Sequence, residues 1–212
     1  MTADGAVLRK PSDEISPDAA LNAEPAHPWA SRGGLKLVAA LDHFGFDPAG
    51  RVCLDAGAST GGFTDVLLAR GARRVYAVDV GRGQLHARLR GNAAVVSLEE
   101  TDIRALDPAK LPEPPDFVTI DVSFISLKMI MPSLDRLVRA PAHLVALIKP
   151  QFEAGRAHLK KGIVREPAVH AAVCDGVAAF ATSLGWIVAG IIPSPIEGGE
   201  GNREFLLGAT KG

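Results

Sequence analysis

The sequence predicts an α/β protein with a mostly parallel, doubly wound sheet of about seven strands and an antiparallel strand at one edge. Short apolar runs recur along the chain, most of them stop at a charged residue, and helical patterns separate them. The first run, at 51–55, ends on Asp55 and leads into the glycine-rich segment 57–62, where a helix begins. Strands that alternate with helices in this way form a parallel sheet, and functional residues lie at the carboxyl ends of such strands.

The composition is typical of a globular protein. The chain has 212 residues, is 47% hydrophobic and carries a formal net charge of −1, which suits one α/β domain with a full core. No apolar run is long enough to span a membrane, and the amino-terminal segment lacks the layout of a secretory signal. We therefore expect a cytoplasmic protein without membrane insertion. Cys53 and Cys174 are interpreted as small buried hydrophobes, and no metal site is predicted.

The elements follow from the periodicity of the apolar residues. Residues 1–30 are rich in Pro, Ala, Asp and Glu and are interpreted as an arm or linker, whereas 31–212 form the domain. A helix that begins after Ser31 can end at Gly45. Strands are predicted at 51–55, 74–79, 94–98, 117–120, 143–148, 186–192 and 203–208, and further helices at 62–70, 83–90, 127–139 and 167–183. The last two strands are close in the chain, which indicates an antiparallel pair at the edge of the sheet.

The glycine-rich segment indicates a cofactor that contains a nucleoside. Small residues let the backbone approach such a ligand, and Asp79 after the second strand can accept hydrogen bonds from ribose hydroxyls. The glycine spacing is not the dinucleotide pattern G-x-G-x-x-G, and Asp55 would face a pyrophosphate unfavourably. It suits a ligand with a cationic amino-acid end, such as S-adenosylmethionine. The residues predicted to bind the cofactor are Asp55, Gly57, Ala58, Ser59, Gly61, Gly62, Phe63, Asp79, Asp102 and Asp121.

The sequence therefore favours a Rossmann-like, S-adenosylmethionine-dependent methyltransferase fold, with a nicotinamide-dependent oxidoreductase as the alternative. Within this fold Asp102, just after the third strand, is placed to accept a hydrogen bond from the adenine amino group. A helix cap or a salt bridge to Arg104 is the other interpretation of Asp102.

Four polar residues stand where the predicted topology brings strand ends together. They are Lys36, Asp121, Lys149 and Glu204. Lys149 directly follows an apolar strand, and a strand terminus aims its side chain at the cleft. A structural lysine at 149 and a simple edge-strand charge at 204 are the alternatives.

Seven segments of the chain match the motifs of a known family in order. They are SRGGLKL, DAGASTGGF, VDVGRGQL, DVSFISL, LIKPQFE, KGIVRE and GNREFL. On these segments the chain resembles the hemolysin-type TlyA family within the FtsJ-like ribose 2′-O-methyltransferases. The resemblance implies a catalytic tetrad of Lys36, Asp121, Lys149 and Glu204, and a 2′-O-methylated nucleotide, typically cytidine, in ribosomal RNA. It also implies an amino-terminal RNA-binding domain, of which residues 1–30 resemble only the tail.

The chemistry of the reaction agrees with these residue types. A ribose 2′-hydroxyl is a poor nucleophile and must lose its proton at or before methyl transfer. Lys149 could serve as the base if Lys36 and the cofactor sulfonium, both cationic, disfavour its ammonium form. Asp121 and Glu204 would orient the two lysines. Base N-methylation is disfavoured, because enzymes of that type commonly carry an Asn/Asp-Pro-Pro-aromatic loop here, and the segment Asp121–Phe124 contains no proline.

The expected partner is ribosomal RNA or a ribosomal subunit. The candidate substrate-binding residues are Arg32, Ser123, Phe124, Lys160, Lys161 and Arg203. Phe124 is either a stacking surface for a nucleotide or a core aromatic residue. Two non-enzymatic interpretations stand beside the methyltransferase, namely a hemolysin-like membrane-active protein and an RNA-binding module that retained the fold without catalysis.

Overall fold

The structure is a computed structural model that describes residues 2–3, 6–7, 14–22 and 27–212. Close to the amino terminus, three two-residue strands, β1 (Thr2–Ala3), β2 (Ala6–Val7) and β3 (Leu21–Asn22), form a small antiparallel sheet with β1 in the middle. They belong to the segment 1–30, for which an arm or linker was expected. Part of that segment lies outside the described residues, so the expected division of the chain at residue 31 stays a prediction.

A seven-stranded mixed sheet forms the body of the protein. Its strands are β4 (Val52–Ala56), β5 (Arg74–Val78), β6 (Val95–Leu98), β7 (Phe117–Ile120), β8 (Ala142–Ile148), β9 (Ile187–Pro193) and β10 (Phe205–Lys211). The spatial order is β6-β5-β4-β7-β8-β10-β9. Neighbouring strands from β6 to β8 are parallel, whereas β10 is antiparallel to both β8 and β9. The predicted doubly wound sheet with an antiparallel pair at its edge is confirmed.

Helices alternate with the strands as the periodicity predicts, although the helix expected at 83–90 forms only at Ala87–Arg90. They are α1 (Gly33–Phe44), α2 (Gly62–Ala69), α3 (Ala87–Arg90), α4 (Leu127–Ile130), α5 (Leu134–Leu137), α6 (Pro150–Glu153) and α7 (Pro167–Ser183). The single helix predicted at 127–139 is wrong, because a 3₁₀ turn at Met131–Ser133 separates α4 from α5. Pro132 has no amide hydrogen with which to continue the α-helical bonding, and this accounts for the interruption. No helix among the described residues is both long and apolar enough to cross a bilayer.

Hydrophobic clusters on the two faces of the sheet hold the layers together. Cys53 and Phe117 face α1 and α2, whereas Leu54 and Val118 face α4, α5 and α7. All four side chains are fully buried, so β4 and β7 form the centre of the core. Burial on both faces explains why these strands are continuous apolar runs. Cys53 and Cys174 are buried and free, which confirms their interpretation as small hydrophobes.

One buried carboxylate connects three of the central elements. Asp55 of β4 has no exposed surface, and its Oδ1 and Oδ2 accept hydrogen bonds of 2.8 Å and 2.7 Å from the hydroxyls of Thr119 in β7 and Thr64 in α2. Burial, and to a lesser degree the negative charge of Asp121, raises the pKa of Asp55 to about 6 against an ordinary value of 3.8. The threonine hydroxyls oppose this rise, because they donate to the ionised form.

Gly208 in β10 provides a test of the packing between the sheet and α1. A Cβ atom at this position would lie 2.6 Å from Cγ of Phe44, well inside van der Waals contact. We expect Gly208→Ala to lower the free energy of unfolding by about 1–3 kcal/mol, because the ring cannot yield without repacking. Urea unfolding followed by circular dichroism measures the change. Gly199→Ala is the matched control, since a Cβ there meets no atom within 4 Å; equal stability of the two variants would contradict the packing argument.

The raised pKa of Asp55 predicts a pH dependence of stability. Between pH 6 and pH 4 the folded state holds a proton on Asp55 that the unfolded chain lacks, so this group favours folding as the pH falls. Asp55→Asn cannot ionise and should remove this contribution, which amounts to about 3 kcal/mol over the full range. The measurement is the unfolding free energy of both proteins from pH 7.5 to pH 4.5. A difference between them that does not change with pH would refute the prediction.

Candidate active site

Two adjoining cavities open at the carboxyl ends of β4, β5, β7 and β8. The larger cavity has a volume of about 440 Å³ and is lined by Gly57, Ser59, 78–80, Gln84, 101–104, 121–125 and Ile130. The smaller cavity has a volume of about 280 Å³ and is lined by 31–33, Lys36, 57–60, Gly62, Phe63, Asp121, Ser123 and Lys149. Both cavities contain Gly57, Ser59, Asp121 and Ser123 in their walls, so they meet along this border.

The loop after β4 forms the floor between the two cavities. Gly57 has a left-handed φ of +85°, and a Cβ atom here would lie 2.5 Å from the carbonyl oxygen of Asp121. Only glycine meets both conditions without strain. The amides of Gly57 and Ala58 donate to the carbonyl of Val78, which fixes the loop to the end of β5. The loop backbone is therefore held against β5 and β7 at the position where a ligand would contact it.

Asp79 follows β5, and backbone amides hold both of its carboxylate oxygens. Its Oδ2 accepts from the amide of Ser59 at 2.8 Å, and its Oδ1 accepts from the amide of Gly81 at 2.7 Å. Each carboxylate oxygen has a second lone pair, so the group can still accept hydrogen bonds from two ligand hydroxyls. This arrangement supports the expected contact with a ribose.

Asp102 lines the same cavity but has partners of its own. Oδ1 accepts from the amide of Arg104 at 2.9 Å, and Oδ2 lies 2.6 Å from an Nη of the same residue. The hydrogen bonds from Arg104 hold the pKa of Asp102 below its usual range. Both the cap and the salt bridge that the sequence left open are therefore present, and the contact with adenine stays a prediction.

The structure does not bring every predicted cofactor residue to the cavity surface. Gly57, Ala58, Ser59, Gly62, Phe63, Asp79, Asp102 and Asp121 line one cavity or both. Gly61 lines neither, and Asp55 lies behind the loop with both oxygens bonded to threonines. The expectation that Asp55 faces the cationic end of a ligand therefore does not match its position, because its carboxylate points into the protein interior. Asp55 instead supports the loop after β4 from the side of the protein interior.

The four residues of the expected tetrad form two close lysine–carboxylate pairs. Nζ of Lys36, in the first turn of α1, lies 2.5 Å from Oε2 of Glu204. Nζ of Lys149, directly after β8, lies 2.6 Å from Oδ1 of Asp121 and donates to Oγ of Ser123 at 2.8 Å. Both lysines and Glu204 are less than 10% exposed. Lys36, Asp121 and Lys149 line the smaller cavity, whereas Glu204 stands behind Lys36 and reaches the cavity only through that lysine.

Phe124 lies at the mouth of the larger cavity. It is 90% exposed, which overturns the interpretation as a core aromatic residue. Its φ of +65° is unusual for a bulky residue and costs conformational energy, which is a frequent sign of a functional position. The ring lies 5.1 Å from that of Phe152, and the two planes are tilted by 51°. Phe152 is a further aromatic residue of this surface that the sequence did not single out.

The remaining predicted substrate residues are dispersed around the two cavities. Arg32 lines the smaller cavity and Ser123 lines both. Lys160 and Lys161 are exposed on a tight turn, and Arg203 is exposed next to Glu204. None of these three lines either cavity. Sequence reasoning also missed the apolar wall of the larger cavity, where Val80 is 73% exposed. The signal for this wall was Val80 itself, an apolar residue directly after Asp79, the acid that follows β5.

The larger cavity fits S-adenosylmethionine in its chemistry. Asp79 provides acceptors for hydroxyl groups, and Val80, Ile103 and Val122 provide an apolar wall for a flat base. Asp121, at the border with the smaller cavity, provides a negative charge where a cationic ligand would lie. These groups in the cavity wall therefore suit a nucleoside that carries a positive group and no phosphate.

Comparisons with known proteins give a consistent result. The model of the FtsJ-like methyltransferase family matches residues 29–211. The chain is 48% identical over 204 residues to a candidate rRNA methyltransferase, YqxC, of Bacillus subtilis, covering 94% of this chain and 72% of the relative. It is 45% identical over 207 residues to the 16S/23S rRNA (cytidine-2′-O)-methyltransferase TlyA of Mycobacterium tuberculosis, covering 96% and 77%.

The solved structures agree with these relatives. A candidate hemolysin from Streptococcus thermophilus superposes with a TM-score of 0.86 at 47% identity, over 91% of this chain and 70% of that one. The comparisons confirm the resemblance, the fold class and the predictions of a methyltransferase and of S-adenosylmethionine as its cofactor. The chain belongs to the FtsJ-like methyltransferase family.

Proposed function

We propose that this chain methylates a ribose 2′-hydroxyl of ribosomal RNA, at a cytidine, with ribosomal RNA or a ribosomal subunit in the cytoplasm as its partner. The observation that carries the proposal is the presence of two lysine–carboxylate pairs, each with a buried lysine, at the smaller cavity, which adjoins the cavity suited to S-adenosylmethionine. The name of the Mycobacterium tuberculosis relative supports the choice of ribosomal RNA and of cytidine.

The four residues of the tetrad and Ser123 then have roles in the transfer. Bound S-adenosylmethionine supplies a methyl group activated by its sulfonium charge. Lys149 is the base that takes the hydroxyl proton, and Lys36 is a second cation in the wall of the same cavity. Asp121 and Ser123 hold Lys149 in place, while Glu204 holds Lys36. In-line attack then depends mainly on the positions of the two reacting groups.

The surface around the cavities supports an RNA substrate. Phe124 and Phe152 present aromatic area next to the site, and unpaired bases stack on such rings. Arg32 at the smaller cavity and Lys160 and Lys161 on the nearby turn offer cations for phosphates. A nicotinamide-dependent oxidoreductase would give neither buried lysine a role. A purely membrane-active protein would have no use for either cavity.

Lys149→Ala tests the assignment of the base. We expect methyl transfer to ribosomal RNA to fall by about 10²–10⁴-fold, because the hydroxyl loses its proton acceptor. The affinity for S-adenosylmethionine, measured by calorimetry, should be retained, since Lys149 does not line the larger cavity. Lys110→Ala, which removes an exposed lysine remote from the site, is the control. Undiminished turnover in Lys149→Ala would remove this residue from the mechanism.

Phe124→Ala tests the stacking surface. Loss of one stacked base contact should weaken binding of a ribosomal RNA fragment by about tenfold or more. Fluorescence anisotropy of a labelled fragment measures this affinity. Ile187→Ala, another exposed apolar residue, at the opposite end of the sheet, serves as the control. If both variants bind RNA as well as the parent does, Phe124 is not part of the RNA interface.

A further inference from the structure

Asn202 is a buried amide that ties two loops together. It is 3% exposed, and its Oδ1 accepts a hydrogen bond of 3.3 Å from the amide of Val164. Its Nδ2 donates to the carbonyl of Gly162 at 3.2 Å and to that of Gly199 at 3.3 Å. The side chain therefore bridges the segment after α6 and the segment before β10, which are 38 and 40 residues apart along the chain at these contacts.

The first loop contains a basic turn, residues 160–163. The amides and carbonyls of Lys160 and Ile163 bond to each other at 3.0 Å and 3.2 Å. The two central residues, Lys161 and Gly162, have φ values of +53° and +78°, as in the tight turns of two-residue hairpins. Both lysines are exposed on this turn. Its conformation is defined locally, but its position depends on what holds its base.

The base of the basic turn is held from two sides. Beyond the turn, the amide of Val164 donates to Asn202, and the carbonyl of Val164 lies 2.9 Å from Nε2 of His170 in α7. His170 is itself 6% exposed, so this second contact is also buried. Asn202 connects the turn to the loop before β10, whereas His170 connects it to the body of the protein.

The second loop, residues 198–202, lies directly against the carboxylate of Glu204. The amide of Gly198 donates to the carbonyl of Asn202 at 2.9 Å, and the amide of Asn202 donates to the carbonyl of Gly199 at 3.2 Å. Gly198 is so close to Glu204 that a Cβ atom would overlap Oε1. Glu204 pairs with Lys36 at 2.5 Å. The side chain of Asn202 adds its bond to the carbonyl of Gly199, and so connects the basic turn to the loop that covers the carboxylate holding Lys36.

We propose that Asn202 is a positioning residue that sets the basic turn at a fixed place relative to the Lys36–Glu204 pair. This inference rests on the proposed function, because the turn is taken to hold an RNA phosphate through Lys160 and Lys161. A phosphate bound to the basic turn lies at a fixed distance from the Lys36–Glu204 pair only if the two loops are joined. Without the amide of Asn202, the turn keeps its shape but loses the bonds that define its distance from Glu204.

Asn202→Ala tests this inference, with Asn92→Ala as the matched control. Asn92 is exposed and its Oδ1 accepts only a local bond, from the amide of Ala94. We expect Asn202→Ala to raise the KM for ribosomal RNA by about tenfold, while the Kd for S-adenosylmethionine changes by less than about twofold. Hydrogen exchange of the peptide 159–166 should become faster. Asn92→Ala should match the parent in all three measurements.

A double-mutant cycle that combines Asn202→Ala with changes in the basic turn distinguishes a positioning role of Asn202 from a general structural role. If Asn202 acts through the turn, adding Asn202→Ala to Lys160→Ala/Lys161→Ala should raise the KM no further. An additive rise would overturn the inference, and so would an unchanged KM accompanied by a lower melting temperature and weaker cofactor binding. If Asn202→Ala fails to fold, Asn202→Asp replaces it. That variant keeps an acceptor for Val164 and lacks the two donated bonds, so an intermediate KM is expected, and a KM equal to that of the parent would overturn the inference.

Failure of the proposed function has a different signature. In that case the parent protein would transfer no methyl group to ribosomal RNA, whatever the state of Asn202. The inference is then decided by anisotropy with a ribosomal RNA fragment and by hydrogen exchange. Weaker binding and faster exchange in Asn202→Ala would support the positioning role, and unchanged values of both would overturn it.

Discussion

The contact between Asp55 and two threonine hydroxyls fixes the geometry from which both cavities follow. Thr64 belongs to α2, Thr119 belongs to β7, and Asp55 itself ends β4, so one carboxylate sets the relative position of three elements. Gly57, two residues later, lies against the carbonyl of Asp121 with no room for a side chain. A small movement of α2 against β7 would therefore displace the loop that borders both cavities. Burial of an ionised carboxylate opposes folding, and the raised pKa of Asp55 is the sign of that cost.

The two lysine–carboxylate pairs impose a second constraint on the same end of the sheet. Lys149 follows β8 directly and Lys36 lies in the first turn of α1, so both charges are anchored close to rigid backbone. Removal of one partner from such a pair leaves a poorly solvated charge, which is more costly than the pair itself. Asp121 belongs to one pair and also to the walls of both cavities. The positions of the two ligands that the cavities would hold are therefore linked through one side chain.

The sequence was sufficient for the parts of the site that parallel strands determine. Strand ends meet at one edge of such a sheet, so Asp121 and Lys149 were expected to lie together, and they do. The direction of Asp55 could not be predicted, because the hydrogen bonds to Thr64 and Thr119 depend on how α2 packs on the sheet. A polar residue in the middle of an apolar strand, Thr119, was the available signal. The role of Asn202 was also hidden, because it depends on two loops that are distant in sequence.

Other differences between the predictions and the structure arise where the sequence pattern is compatible with two conformations. The apolar residues of segment 121–127 are compatible with Phe124 inside or outside, and only the left-handed backbone at this residue turns the ring to the surface. The interruption of the helix at Pro132 could have been predicted from the proline itself. The partner of Lys36 depends on β10, because its insertion between β8 and β9 brings Glu204 next to this lysine.

That insertion has a consequence for how order can be lost at this end of the sheet. Lys36 and Glu204 are 168 residues apart in the chain, and their pair exists only while β10 is seated between β8 and β9. Asp121 and Lys149 directly follow the neighbouring parallel strands β7 and β8, so their pair does not need β10. Local detachment of β10 would therefore separate Lys36 from its carboxylate and leave the other pair in place.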